Sequence, residues 1–287
     1  MKIDEQVRQC TSFLSIRKRT DQGDSIHPIG TAFYIGEVLG NGRAIKYAVT
    51  ARHVVDASRP HGSLWVRCVR PNGRKALFEC PIDSWWCHPT TDVAVAPLAI
   101  PLEEFDLRFL PLELFADDAW LKDNQVGIGD HVVAAGLFTQ FIGSSKDAPI
   151  ARFGRIALTP DEPIRVPGDC RLPAMEFRAI LAELGSWGGQ SGSPVFVYFS
   201  IDRDLFAGAE VKLVIPNPRL LGLVHGHYNF PQPVIGLSDD QAAQVHLNSG
   251  IAIVVPASEI LAVLALDEAK KHRSEFVAIL RQEGLLT

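Results

Sequence analysis

The chain has 287 residues, and 28 Lys plus Arg against 33 Asp plus Glu give a formal net charge of −5. A hydrophobic content of 47% and a charged content of 21% are ordinary for globular proteins, which excludes wholesale disorder. The acidic balance gives no support to nucleic-acid binding driven by bulk charge. No apolar run approaches the roughly 20 residues that a membrane helix needs. We therefore expect a folded protein with no nucleic-acid partner and no membrane association.

The amino-terminal segment Met1–Leu14 lacks the apolar core of a secretory signal. The cysteines form an odd, dispersed set: Cys10, Cys68, Cys80, Cys87 and Cys170. This pattern is typical of reduced thiols rather than of a disulfide framework. Cys80, Cys87 and His88 do not have the spacing of a structural zinc site, so neither a metal nor another cofactor is expected. The sequence thus predicts a cytoplasmic protein.

Short runs of alternating or β-branched residues dominate the first half of the chain. The predicted strands are Gly30–Ile35, Tyr47–Thr50, Leu64–Val69, Ala76–Cys80 and Asp92–Leu98. Asn72-Gly73 indicates a hairpin between the third and fourth of them. Prolines and scattered acids in Ala99–Asp118 favour a connection between two halves.

The second half continues with short strands and then changes period. The predicted strands are His131–Gly136, Gly154–Leu158, Met175–Leu181, Pro194–Phe199, Leu220–His225 and Gly250–Val255. From Ser258 onward the apolar residues fall at helical spacing, and Gly284 ends the run. Strands this closely spaced, with little helix between them, argue for an all-β barrel or sandwich.

The strongest chemical motif is Gly188–Pro194, which reads GGQSGSP. A serine hydroxyl is a poor nucleophile unless a base removes its proton and donors stabilise the oxyanion. The glycines let the backbone turn tightly, so the N–H groups of Gly189 and Ser191 can point at one spot. A plain Gly/Ser turn is the alternative. The elbow of α/β-hydrolases is excluded, because a strand-like run follows Pro194 and Ser193 stands where that motif needs glycine.

Two further segments supply a base and an acid. His53, in Val49–Val55, is predicted at the end of an apolar strand, and histidine titrates near neutrality. Asp92 opens a short apolar strand, where a buried carboxylate can accept the imidazole N–H and fix its tautomer. A structural histidine and a turn aspartate are the alternatives for each residue alone. The order His53, Asp92, Ser191 is far more specific than any one of them.

The motifs together resemble the trypsin-like (chymotrypsin-fold) serine peptidases, closest in style to intracellular bacterial, HtrA-like members without a PDZ domain. The segments that carry the resemblance are GTAFYIG at Gly30–Gly36, TARHVV at Thr50–Val55, TTDVAV at Thr90–Val95 and GGQSGSPVF at Gly188–Phe196. The resemblance implies an all-β fold with two antiparallel, six-stranded-type β-barrels, the active site in the cleft between them, and a carboxy-terminal helix. The expected division is 1–105 for the first barrel, 106–257 for the linker and second barrel, and 258–287 for the helix.

The resemblance further implies a serine endopeptidase that acts on a protein or peptide through an acyl-enzyme. Ser191 is then the nucleophile, His53 the base and Asp92 the residue that orients it, while the amides of Gly189 and Ser191 form the oxyanion hole. Gln190 replaces the aspartate of many secreted members, so their zymogen activation is not expected. Two alternatives stay open: a catalytically silent barrel that binds or regulates, and a scaffold that recruits a partner. The sequence leaves the oligomeric state open.

The resemblance also assigns the residues that determine substrate choice, by their positions relative to Ser191. Gly185, six residues before Ser191, would lie at the base of the first specificity pocket and carries no charge. Gly226 and Gly250 would line its walls without blocking them. The resemblance therefore predicts poor cleavage after Lys and Arg, with medium apolar residues preferred. Glu is the main rival, since a protonated His227 at the rim would favour an acidic side chain.

His225 would take the position that usually holds a serine beside the aspartate of the triad. It would then be a partner of Asp92, while His227 would face the substrate. The alternative is that the two histidines simply close a surface strand.

Overall fold

The structure is a computed structural model that describes residues 5–20, 23–105, 107–139, 141–143, 147–159, 161–166, 174–185, 188–199, 218–233 and 244–286. Cys170 lies outside the described residues. The other cysteines, Cys10, Cys68, Cys80 and Cys87, are free thiols. No helix in the described part of the chain combines the length and the apolar character needed to cross a membrane.

The described residues form sixteen strands and five α-helices. The strands of the first half are β1 (Thr11–Thr20), β2 (Gly23–Val38), β3 (Ala44–Thr50), β4 (Ser63–Val69), β5 (Lys75–Pro81), β6 (Trp86–Cys87), β7 (Ala94–Pro97) and β8 (Leu110–Pro111). Those of the second half are β9 (His131–Gly136), β10 (Ile150–Leu158), β11 (Ile164–Val166), β12 (Met175–Phe177), β13 (Ile180–Glu183), β14 (Pro194–Tyr198), β15 (Arg219–Pro233) and β16 (Gln244–Pro256). The helices are α1 (Glu5–Gln9), α2 (Arg52–Ser58), α3 (Asp118–Asp123), α4 (Ala257–Leu264) and α5 (Asp267–Gln282).

The first half folds into one eight-stranded sheet in the order β5-β4-β1-β2-β3-β7-β6, with β8 added alongside β2. All pairs are antiparallel except β2 with β8. Every residue from Gly30 to Gly36 is buried, so the centre of β2 is covered on both faces. This two-sided burial explains why that segment reads as a nearly continuous apolar run rather than as an alternation.

The second half forms a closed six-stranded barrel in the order β10-β13-β16-β15-β14-β9. Its interior is filled by small and β-branched side chains such as Val132, Ala134, Ala182 and Val195. Closure pairs every strand of this barrel on both sides, which leaves no open edge for another chain to pair with. The predicted all-β fold class, with a β-rich body in each half followed by helical structure, is confirmed.

Several predicted elements have different bounds. The strand predicted at Met175–Leu181 is wrong as a single element, because β12 pairs with β11 in a separate two-stranded sheet while β13 joins the barrel. Strand β1 pairs along its whole length with β2 and was not among the predicted strands. The hairpin at Asn72-Gly73 is confirmed, with Gly73 at φ 79° between β4 and β5.

The carboxy-terminal segment forms two helices rather than one. The break comes at Leu266, whose ψ of 153° is extended, and Asp267 and Glu268 begin a new helix with acids in its first turn. Helix α5 packs on the first body, where the ring of His272 lies 6.3 Å from that of Tyr47. Gly284, at φ 69°, follows the end of α5, as the sequence predicts.

Candidate active site

His53 lies in the first turn of helix α2, not at the end of a strand as the sequence predicts. Strand β3 ends at Thr50, and α2 begins two residues later. The first N–H groups of a helix have no partner within it, and no side-chain cap at Ala51 supplies one here. The Oδ1 atom of Asp92 accepts the His53 N–H at 2.8 Å. A carboxylate from the next segment of the sheet therefore fixes the backbone of the histidine.

The same carboxylate also holds the ring of His53. The Oδ2 atom of Asp92 lies 2.7 Å from the His53 Nδ1 atom, so the two oxygens grip one residue at two points. The side chain of Asp92 is 1% exposed and that of His53 is 16% exposed. With a proton on Nδ1, the Nε2 atom of a neutral His53 carries the lone pair. That is the arrangement a general base needs.

Burial by itself raises the pKa of Asp92. The positive charge that His53 can carry and the hydrogen bonds from His225 and His53 outweigh burial, and they hold the pKa of Asp92 well below its usual value. The carboxylate is therefore ionised throughout the neutral range.

A second imidazole shares this carboxylate. The Nδ1 atom of His225, on β15, makes a short hydrogen bond with the Oδ2 atom of Asp92. The rings of His53 and His225 meet edge to face, with centroids 5.4 Å apart. The Phe177 ring lies against His225 at 5.3 Å. The structure thus brings both histidines to Asp92.

The loop that carries Asp92 is fixed by contacts that the sequence did not indicate. The Nδ1 atom of His88 accepts the N–H groups of Thr90 and Thr91 at 3.2 and 2.9 Å. Arg52, next to His53, donates to the carbonyls of His88 and Pro89. The Nε2 atom of His88 lies 3.2 Å from Glu259 on α4. Arg52, next to His53, and Glu259, on α4, thus hold the loop that carries Asp92 in place.

Ser191 sits in a tight turn that requires glycine on both sides. Gly189 and Gly192 have φ values of 93° and 84°, a region that other residues rarely adopt. The Ser193 N–H closes the turn by donating to the Gln190 carbonyl at 2.9 Å. A Cβ atom at Gly192 would lie 2.2 Å from the carbonyl oxygen of Thr31. The missing side chain lets the turn approach the first body.

Thr31, on β2, fastens this turn to the first body. Its N–H donates to the Ser191 carbonyl at 2.9 Å. Its hydroxyl donates to the Gly189 carbonyl at 3.0 Å and accepts from the Leu137 N–H at 2.9 Å. Its own carbonyl accepts the hydroxyl of Thr50, at the end of the strand that leads to His53, at 2.7 Å. One fully buried threonine therefore sets the position of the serine turn relative to the strand that precedes His53.

The Ser191 hydroxyl hydrogen-bonds to the backbone carbonyl of His225 at 3.3 Å. Among the described residues, the partner of this hydroxyl is therefore His225 and not His53. The N–H groups of Gly189 and Ser191 donate to no described residue. Both amides can therefore donate to an anion that forms beside Ser191.

The residues predicted to line the specificity pocket lie in three neighbouring segments: Gly185 follows β13, His225, Gly226 and His227 are on β15, and Gly250 is on β16. The Leu184 N–H donates to the Gly250 carbonyl at 2.9 Å, which joins the segment of Gly185 to β16. A Cβ atom at Gly185 would lie 3.6 Å from the Arg152 Nη1 atom, a neighbour that sequence reasoning missed. A Cβ atom at Gly226 or Gly250 would meet no described atom within 4 Å. Burial lowers the pKa of His227, although its hydrogen bond with Asn229 acts in the opposite direction.

His53, Asp92 and His225 are also the set of side chains that could hold a metal ion among the described residues, since their ligand atoms lie within 4.8 Å of one another. The 2.7 Å separation of His53 Nδ1 and Asp92 Oδ2 is that of a hydrogen bond. A metal bonds each ligand at about 2.0–2.2 Å and would have to displace both Nδ1 protons. The geometry therefore fits hydrogen bonds from the two imidazoles to Asp92. The expectation that the protein holds no metal stays a prediction.

No family model matches the chain, and no curated protein matches it either. Among solved structures, the chain is similar to the Rv3671c protease in its inactive form, with 18% identity and a TM-score of 0.45 over 90% of this chain and 89% of the other. A serine-to-alanine mutant of Rv3671c from M. tuberculosis H37Rv is similar at 18% identity, with a TM-score of 0.42 over 90% and 86% of the two chains. Deg5 is similar at 15% identity, with a TM-score of 0.49 over 90% and 88%.

Replacing Thr31 by Val is expected to destabilise the protein. The substitution keeps the shape but leaves the Leu137 N–H and the Gly189 carbonyl without their partner. Each buried polar group left unpaired costs about 1–3 kcal/mol. Urea unfolding followed by circular dichroism measures the loss. Thr31→Ser, which keeps the hydroxyl, should lose much less, and Thr159→Val at an exposed position should lose almost nothing. Equal stability of Thr31→Val and Thr31→Ser would show that these hydrogen bonds do not hold the turn.

Proposed function

We propose that this protein is a serine endopeptidase that cleaves a protein or peptide substrate through the triad His53, Asp92 and Ser191. The observation that carries the proposal is the two-point grip of Asp92 on His53. One oxygen fixes the backbone N–H and the other fixes Nδ1, at 2.8 and 2.7 Å. The contact at Nδ1 orients the ring and defines its tautomer, and the contact at the backbone N–H fixes the turn that carries it.

The serine turn supplies the other half of the chemistry. Ser191 attacks the scissile carbonyl carbon while the Nε2 atom of His53 takes the hydroxyl proton. The oxyanion that forms is held by the amides of Gly189 and Ser191, which donate to no other described residue. His53 then returns the proton to the leaving amine, and the acyl-enzyme remains on Ser191. Water, deprotonated by His53, attacks this ester; the bond to Ser191 breaks, the new carboxyl end of the substrate leaves, and His53 returns the proton to the serine oxygen.

The Ser191 hydroxyl must change its hydrogen-bond partner before the first step. It now donates to the His225 carbonyl at 3.3 Å, and this proton has to be redirected toward His53. Hydrogen bonds between catalytic groups are often long or misaligned without substrate and tighten in the complex. The contact is therefore compatible with a resting enzyme.

The wild-type protein should react stoichiometrically with a fluorophosphonate probe, which labels serines activated in this way. Labelling should rise with pH through about 6 to 7.5, because the imidazole must be neutral to accept the proton. Ser191→Ala should abolish labelling, and turnover of peptides should fall to a similar residual level in Ser191→Ala, His53→Ala and the double mutant, since the two residues act as one unit.

Ser193→Ala is the matched control, because it removes a neighbouring hydroxyl of the same motif and should leave labelling intact. Absence of labelling in a folded wild-type protein at every pH would favour the silent barrel. Full activity at pH 4.5, where an unperturbed imidazole is charged, would exclude His53 as the base.

For substrate choice, we propose that the pocket beside Gly185 excludes basic side chains and takes acidic ones. A cationic group lies where Gly185 leaves room, since Arg152 Nη1 is 3.6 Å from the position of a Cβ atom there. Guanidinium pairs with carboxylates and repels ammonium and guanidinium groups. Because burial lowers the pKa of His227, that ring is neutral at pH 7 and is not the source of positive charge. Arg152 thus moves the preference from apolar residues toward Glu.

A mixed peptide library should show cleavage after Glu and almost none after Lys or Arg. Arg152→Met, which keeps length and removes charge, should lower cleavage after Glu at least tenfold relative to cleavage after Leu, because the carboxylate loses its partner in the pocket. Arg155→Met, on the exposed side of the same strand, is the control and should leave this ratio unchanged. Dominant cleavage after Lys or Arg would show that the pocket is assigned to the wrong residues.

A further inference from the structure

One residue outside the triad contacts all three of its members. The His225 side chain hydrogen-bonds to Asp92 through Nδ1, and its ring lies edge to face against His53 at 5.4 Å. Its backbone carbonyl accepts the Ser191 hydroxyl at 3.3 Å. The side chain of His225 is 6% exposed, so these contacts are made within the protein interior.

We infer that His225 is a positioning residue that donates its Nδ1–H to Asp92 and thereby sets how strongly Asp92 attracts a proton on His53. This inference rests on the proposed function. The Asp92 Oδ2 atom is shared by the two imidazoles, since it accepts from the Nδ1 atom of each. A donor on an anion withdraws part of its charge, so the carboxylate stabilises an imidazolium at His53 less strongly when His225 also donates to it.

The backbone at His225 is shaped for this double role. The register of β15 against β16 shifts between Val224 and Gly226, which leaves His225 in a bulge outside the regular pairing. Bulges aim a side chain away from the direction that the strand alternation would give it, and they free backbone groups. Here the freed carbonyl faces Ser191, and the ring reaches Asp92 on the first body. Side chain and carbonyl can therefore be tested separately, because a substitution removes only the first.

Among the charged and titratable groups near these rings, Asp92 is the one that determines how readily His53 takes up a proton. From α2, Arg52 and Asp56 pair with each other at 3.1 Å. From β6, Cys87 is within electrostatic range of Asp92, but burial raises the pKa of its thiol, so it is neutral. On β15 itself, burial lowers the pKa of His227. From β12, Phe177 contributes only an uncharged ring.

The test compares His225→Ala with His225→Asn. Alanine removes the donor, whereas the Asn side-chain nitrogen stands close to the Nδ1 position and keeps an uncharged donor. In a Ser191→Ala background, where no catalysis is needed, the midpoint of the His53 ring titration is followed by NMR. The midpoint should rise by about 0.5–1 pH unit in His225→Ala and return toward that of the parent in His225→Asn. His61→Asn, at an exposed histidine of the first body, should leave it unchanged.

In chains that retain Ser191, the fluorophosphonate labelling rate should fall about 10- to 100-fold in His225→Ala, because Asp92 and His53 are no longer held as firmly. The acid limb of its pH profile should move to higher pH. His225→Asn should restore the labelling rate to within a few-fold of the parent and return the acid limb toward its parental pH. A merely structural role would lower the rate without moving the limb. An unchanged His53 midpoint in His225→Ala, or an equal shift in both variants, would overturn the inference. Failure of the wild type to label, with the NMR shift present, would count against the proposed function alone.

Discussion

An ionised carboxylate that is 1% exposed is stable only where donors surround it, and Asp92 meets three N–H groups from two residues. Two of them belong to His53, as its backbone N–H and its Nδ1–H, and the third belongs to His225. The need to satisfy this charge explains why α2 starts where it does, with the first-turn N–H of His53 directed at the carboxylate. It also explains the short bulge of β15, which brings a third donor across from the second body.

The two bodies must then hold these groups at a fixed separation from Ser191. Thr31 does this with groups on its backbone and side chain, which join the serine turn, the segment at Leu137 and the strand that ends before His53. The glycine at 192 is a consequence of this approach, because a Cβ atom there would overlap the Thr31 carbonyl. Packing and hydrogen bonding at the junction thus determine the distance between base and nucleophile more directly than the fold of either body does.

The sequence predicts the parts of the site that depend on local chain chemistry. Short motifs point to Ser191, His53 and Asp92, and the structure places all three in contact with His225. The local conformation of His53 was nevertheless predicted wrongly, because a distant carboxylate accepts its N–H at the start of a helix. Thr31 was missed because its partner Gly189 is 158 residues away, and a threonine in an apolar run gives no sign of such a contact. The pair of His88 with Glu259 was missed for the same reason, since 171 residues separate the two. The split between β12 and β13 was missed because tertiary pairing, not periodicity, decides it.

The role of Asp92 is tested most directly by the tautomer of neutral His53, which is read from the nitrogen chemical shifts of its ring in a Ser191→Ala chain. If the buried carboxylate of Asp92 defines the site, the proton is on Nδ1 and Nε2 is unprotonated. In the Asp92→Asn variant, whose amide can donate to the ring, the proton should move to Nε2. A neutral His53 that carries its proton on Nε2 while Asp92 is intact would contradict the account.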